Sequence, residues 1–194
     1  MQKVVERLAR LFALLGGVTL TLLIVLVCAS VLGRSLNGML HSDWAQTNLP
    51  ALSEGLLSLG IGPINGDFEI VEAGMAFAIF AFLPICQLHG AHASVDIFTA
   101  KLPTRANRLL RLVIELVFAA VLITIAWQLT LGGISKYRSG QTTFLLEFPV
   151  WWSYAASIFA MWVAALVGIY VAAMRALELT RGRDLLPDHE GAEH

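Results

Sequence analysis

Residues 148–174 read FPVWWSYAASIFAMWVAALVGIYVAAM, 27 positions without a charge. At about 1.5 Å of rise per residue, a helix of that length covers about 40 Å, more than the roughly 30 Å of hydrocarbon in a bilayer. Three further stretches repeat the pattern. Residues 11–33 carry no charge, residues 70–91 carry only Glu72, and residues 112–134 carry only Glu115. An isolated strand would leave its backbone groups unpaired in lipid, so each run predicts a helix. The expected fold is an all-α integral membrane protein with four transmembrane helices and short interfacial amphipathic helices. It forms a single four-helix membrane domain over residues 1–194, with a long outward-facing loop at 34–69 and a polar tail at 183–194.

Composition supports this reading. Of 194 residues, 57% are hydrophobic and 14% charged, and the mean hydropathy is +0.73. Soluble chains are about half apolar and a quarter charged, and a small core cannot hide the surplus. A soluble enzyme, a disordered tail and a nucleic-acid binder are excluded on these grounds, and a net charge of −1 steers nothing toward polyanions. The first apolar run follows a basic start and resembles a secretory leader, but it is too long for an h-region and no small-x-small cleavage site follows. It is expected to remain as the first helix.

Orientation follows from Lys and Arg placement. The start, the second loop and the end hold ten of them, among them Lys3, Arg7, Lys101 and Arg175. The first and third loops hold three: Arg34, Lys136 and Arg138. Both termini are expected in the cytoplasm of a bacterial inner-membrane protein. Cys28 and Cys86 fall at opposite depths, about 20 Å apart by helical rise, too far for a disulfide.

Several features invite a functional reading. Ala156, Ala160, Ala164, Gly168 and Ala172 recur every four residues. Such a small-residue stripe lets helix backbones approach in lipid, which marks an interface facing either this chain's own helices or another subunit. Trp151, Trp152 and Tyr154 mark the outer membrane boundary. Leu49, Leu52, Leu56 and Leu59 share one face of a short helix with Pro50 in its first turn. That helix is expected to lie on the membrane surface, on a partner, or over the chain's own bundle. Pro84 predicts a kink in the second span. Arg105, Arg108 and Arg111 are placed to meet lipid headgroups.

Glu72 and Glu115 are the charges within the spans, where a carboxylate is by default a functional candidate. They lie near opposite ends and cannot share one ion, so a snorkelling or partner-bonded carboxylate is the expected role. His89 and His92 lack a facing histidine for haem in another span. No P-loop, GxSxG or HExxH motif occurs. No enzymatic activity, cofactor or metal is expected.

Residues 67–103, DFEIVEAGMAFAIFAFLPICQLHGAHASVDIFTAKLP, place Glu69 and Glu72 at the start of a helix. Gly90 and His92, Val95 and Asp96, and Leu102-Pro103 follow at its exit. This pattern, with four spans and cytoplasmic termini, resembles the small membrane subunit (Q-type, DctQ-like) of tripartite ATP-independent periplasmic (TRAP) transporters. The resemblance implies two protein partners, a large permease subunit that carries substrate and sodium ions and a periplasmic substrate-binding protein that delivers an organic acid. The small subunit would brace the first and help dock the second. Glu69, Glu72, His92, Asp96 and the small-residue stripe are then subunit-interface candidates. The 34–69 loop is long for such a subunit. The alternative is a self-contained four-helix ion-coupled carrier acting as a homodimer.

Overall fold

The computed structural model describes residues 2–90 and 103–181. These form six helices: α1 (Gln2–Leu40), α2 (Asp43–Asn48), α3 (Pro50–Ser58), α4 (Asp67–His89), α5 (Thr104–Ser139) and α6 (Trp151–Arg181). Four of them, α1, α4, α5 and α6, are long and apolar enough to cross a membrane. Among the described residues there is no strand, only an isolated bridge between Thr142 and Pro149. The chain is an all-α membrane protein.

Helix ends differ from the limits of the apolar runs, for a simple reason. Apolar length reports the hydrocarbon thickness, whereas a helix continues until something breaks it. Thus α1 runs on through Arg34 and Asn37 to Leu40, converting the start of the expected loop to helix. Ser42 then caps α2, its hydroxyl accepting the Ala45 N–H at 3.4 Å. Pro50 opens α3 where its missing N–H costs nothing. Helix α4 continues unbroken through Pro84 and stops at Gly90, whose positive φ closes the last turn onto the Cys86 and Gln87 carbonyls. At the start of α6 the order reverses: residues 148–150 precede the helix because Pro149 disfavours helical backbone at Phe148 and holds the bridge to Thr142 instead.

The four long helices alternate in direction. Their order in space is α1, α4, α6, α5, with α6 packed on both α4 and α5 and α4 packed on α1. One end of the bundle, called here the hairpin end, holds the C-termini of α1 and α5 and the N-termini of α4 and α6. The other, the termini end, holds the opposite ones. Helix α6 is the most buried of the four. Its small residues explain why: Ala160 and Ala164 are fully buried and Ala172 nearly so. A Cβ added to Gly168 would stand 3.0 Å from Leu122 Cδ1 and 3.7 Å from Ala119 Cα. With no hydrophobic drive between helices in lipid, this close approach supplies the packing.

Apolar clusters join the helices at successive depths. Ala9, Leu88, Val167 and Val171 meet near the termini end, and Phe12, Ala81, Ala160 and Val163 meet next to them. Leu122, Ala126, Met161 and Ala165 join α5 to α6, with Phe80 and Leu83 of α4 reaching across.

Candidate functional site

Polar side chains concentrate at the two ends of the bundle. At the hairpin end, Ser30 of α1 is fully buried, donates to Asp67 Oδ2 at 2.5 Å and accepts the Ile64 N–H at 3.3 Å. Arg34 stands 3.9 Å from the same Asp67 oxygen, and Asn37 Nδ2 donates to the Ile61 carbonyl at 2.9 Å. One face of α1 therefore holds the turn that leads into α4.

The segment between α5 and α6 folds back on itself. The Thr143 N–H donates to the Phe148 carbonyl and the Val150 N–H to the Gln141 carbonyl, both at 3.0 Å. This hairpin is fastened to α4 by Glu69, which is buried and accepts the N–H groups of Leu145 at 2.7 Å and Leu146 at 3.0 Å. Leu146 packs directly over Gly66, where an added Cβ would meet its Cγ at 2.5 Å. Gly66 also has φ of +76°, so glycine is required there twice over. At the tip, Phe144 is 91% exposed. Beside the hairpin, the rings of Tyr137, Trp151 and Trp152 stack edge to face at 5.4 and 6.2 Å, an aromatic girdle suited to the membrane interface.

At the termini end the polar groups are buried between helices. Gln87 of α4 donates to Glu115 of α5 at 2.5 Å, and Arg175 of α6 donates to Glu178 at 2.8 Å. All four side chains are buried, and the Arg175 charge also acts on Glu115. Arg175 Nε has no hydrogen-bond partner among the described residues. A buried charge in such a place must be paired or bonded, and here Glu115 is.

The interface candidates divide accordingly. Ala160, Ala164, Gly168 and Ala172 are buried inside this chain, against its own neighbouring helices, while Ala156 at the hairpin end is exposed. Of the two faces the stripe was free to adopt, four of its five residues take the intrachain one. Glu69 is occupied by the hairpin, and Glu72 is exposed one turn further along α4. His92 and Asp96 lie outside the described residues, as do Val95, Leu102 and the tail from Arg183. His89 is exposed, its Nδ1 3.1 Å from the Ile85 carbonyl. Of the headgroup candidates, Arg105 is exposed, whereas Arg108 and Arg111 are half-buried and engaged within the chain. Cys28 and Cys86 are both free thiols. Leu49, Leu52 and Leu59 are exposed, and α3 buries Ser53 instead.

Sequence reading gave no site role to Gln87, Arg175 or Glu178. Gln87 carries no charge to draw notice inside an apolar run, and Arg175 and Glu178 fall just beyond the last run. A signal existed in their spacing, since i and i+3 on one helix face suit an ion pair.

Comparison with known proteins completes the picture. No curated protein and no solved structure matches this chain. A family model described as "Tripartite ATP-independent periplasmic transporters, DctQ component" matches residues 23–179, covering all of α4 and α5 and nearly all of α6. A chain with this architecture and that extent of match belongs to the DctQ family, the small permease component of TRAP transporters.

Proposed function

We propose that this chain braces a large permease subunit in the inner membrane and helps a periplasmic substrate-binding protein dock during sodium-driven uptake of an organic acid. The observation that carries the reading is the absence of a polar route: among the described residues, charged side chains gather at the two ends, and the core between them is apolar. Such a core offers no path to a hydrophilic solute, so transport falls to another polypeptide. The long exposed apolar faces of α1 and α5 give that polypeptide helices to pack against, Leu14, Leu22 and Val25 on α1 among them. The exposed leucines in and flanking α3, Leu49, Leu52 and Leu59, and the tip of the α5–α6 hairpin support docking at the hairpin end. The Lys and Arg distribution supports a periplasmic hairpin end and cytoplasmic termini.

Deleting this chain while leaving the large subunit and binding protein intact tests the proposal. Loss of uptake, with the tagged chain retaining a much larger membrane protein through purification, is the expected result. Undiminished uptake in the deletion strain would overturn it. A cysteine at Phe144 labelled in whole cells by a membrane-impermeant thiol reagent checks the orientation.

A further inference from the structure

Between α4, α6 and the α5–α6 hairpin lies a cleft of about 440 Å³. Its origin is in the helix arrangement. Helices α4 and α5 both rest on α6, and their side chains meet at the termini end through Gln87 and Glu115; midway, Phe80 and Leu83 pack against the cluster of Leu122, Ala126, Met161 and Ala165. The cleft lies on the hairpin side of the Phe80 contact.

Its lining has a direction. Residues from Phe68 to Phe80 of α4 border it, a rise of about 18 Å along the helix axis. Nearest the hairpin are the rings of Phe68, Phe144 and Phe148, and at the deep end stand Phe80 and Leu129. Its polar lining comes from Glu69, Glu72, Thr143, Ser153, Tyr154 and Ser157, and the Thr143 and Ser157 hydroxyls are both buried without a hydrogen-bond partner among the described residues. Glu72 is exposed and, among the described residues, has no ion-pair partner. Ser157 of α6 is 2% exposed, and its Oγ is buried without a hydrogen-bond partner. Ala81 packs with Ala160 and Val163, and Leu88 with Val167 and Val171, so Glu72 lies level with Ser153 and Ser157 stands about one turn, about 6 Å, deeper. Glu69 also borders the cleft, but its carboxylate is already committed to the hairpin amides.

An unpaired carboxylate at the mouth of an elongated, largely apolar slot, with an orphaned hydroxyl about one turn deeper, fits an amphiphile with a cationic head. A compact solute would leave the deep end empty, and a free cation would leave the rings unused. An anionic lipid would place its charge against Glu72. We propose that the cleft binds an amine-bearing phospholipid. Its ammonium pairs with Glu72, its ester carbonyl accepts the Ser157 hydroxyl, and an acyl chain runs past Phe80 and Leu129. An ammonium donates three hydrogen bonds and a carboxylate accepts them, so the headgroup is selected by chemistry as well as charge.

The full chain, delipidated in mild detergent, is titrated with phosphatidylethanolamine or phosphatidylglycerol, and bound lipid is counted by native mass spectrometry. The ethanolamine lipid is expected to bind about tenfold more tightly, a factor typical of one charge-assisted hydrogen bond. Glu72→Gln is expected to erase the preference, and Ser157→Ala to weaken the ethanolamine lipid severalfold without changing the order. Ala76→Leu, which fills the slot, is expected to remove both lipids. Equal binding of the two headgroups, or a preference that survives Glu72→Gln, overturns the proposal. A cysteine at Ala76 that cross-links in cells to another polypeptide, in a chain that retains no lipid, assigns the cleft to a protein side chain and overturns it equally.

Discussion

The carboxylate of Glu69 accepts the Leu145 amide at 2.7 Å, joining the first turn of α4 to a hairpin 76 residues later in the chain. A second amide, from Leu146, fills its other oxygen at 3.0 Å. Two hydrogen bonds to one ionised, buried side chain make the hairpin a fixed part of the bundle.

Glu69→Ala is therefore expected to release the hairpin. Hydrogen bonds to a charged group contribute about 1.5–3 kcal/mol each. Loss of both should lower the thermal midpoint in detergent and speed hydrogen exchange at the Leu145 and Leu146 amides. Glu69→Gln should be intermediate, because its NH₂ group would face a donor. Unchanged exchange at these two amides in the alanine variant would contradict the assignment.

At the termini end, Gln87 and Glu115 form a buried pair across α4 and α5. Replacing Gln87 with Leu strands a buried carboxylate and should cost about 1–3 kcal/mol. Adding Glu115→Leu should recover part of that loss, since the carboxylate left without its Gln87 donor is then gone. A double-mutant cycle followed by thermal unfolding measures the coupling, and additive losses would show that the two side chains act independently.

The small-residue stripe on α6 supplies an internal contrast. Gly168→Leu must push Leu122 aside and is expected to destabilise the chain by about 1–3 kcal/mol, the usual cost of overpacking. Ala156→Leu, at the exposed end of the same stripe, should leave stability within about 0.5 kcal/mol. If Ala156→Leu nevertheless reduces recovery of the large subunit, that position belongs to the subunit interface.

Leu52 and Leu59 are 55% and 77% exposed, so replacing both with Glu should also leave the folded chain within about 0.5 kcal/mol of its original stability. Uptake is expected to fall, because the apolar face of α3 would be lost to whatever it meets. Retention of full uptake would remove α3 from the docking surface.

Ser30 is the hinge of the turn into α4, donating to Asp67 and accepting from Ile64. Ser30→Ala deprives both and is expected to cost about 1–3 kcal/mol. Ser35→Ala, at an exposed position of α1, is the control. Thermal unfolding of the two variants side by side checks the difference.

Hydrophobic periodicity and charge placement carry the membrane architecture because they act locally. Four apolar runs of 22 to 27 residues each exceed the bilayer's hydrocarbon, and no other backbone geometry satisfies its own hydrogen bonds there. Residues 67–103 likewise carry the family resemblance on their own. Tertiary structure decided the roles. Two acidic residues three positions apart, Glu69 and Glu72, look alike in sequence; one is buried by a hairpin and the other stands over an open cleft. Spacing on α6 made an interface visible and left its owner open, because a stripe has no record of which neighbour it meets. Burial and hydrogen bonding are properties of pairs distant in the chain, such as Glu69 with Leu145 or Gln87 with Glu115. They exist only once folding has brought the partners together.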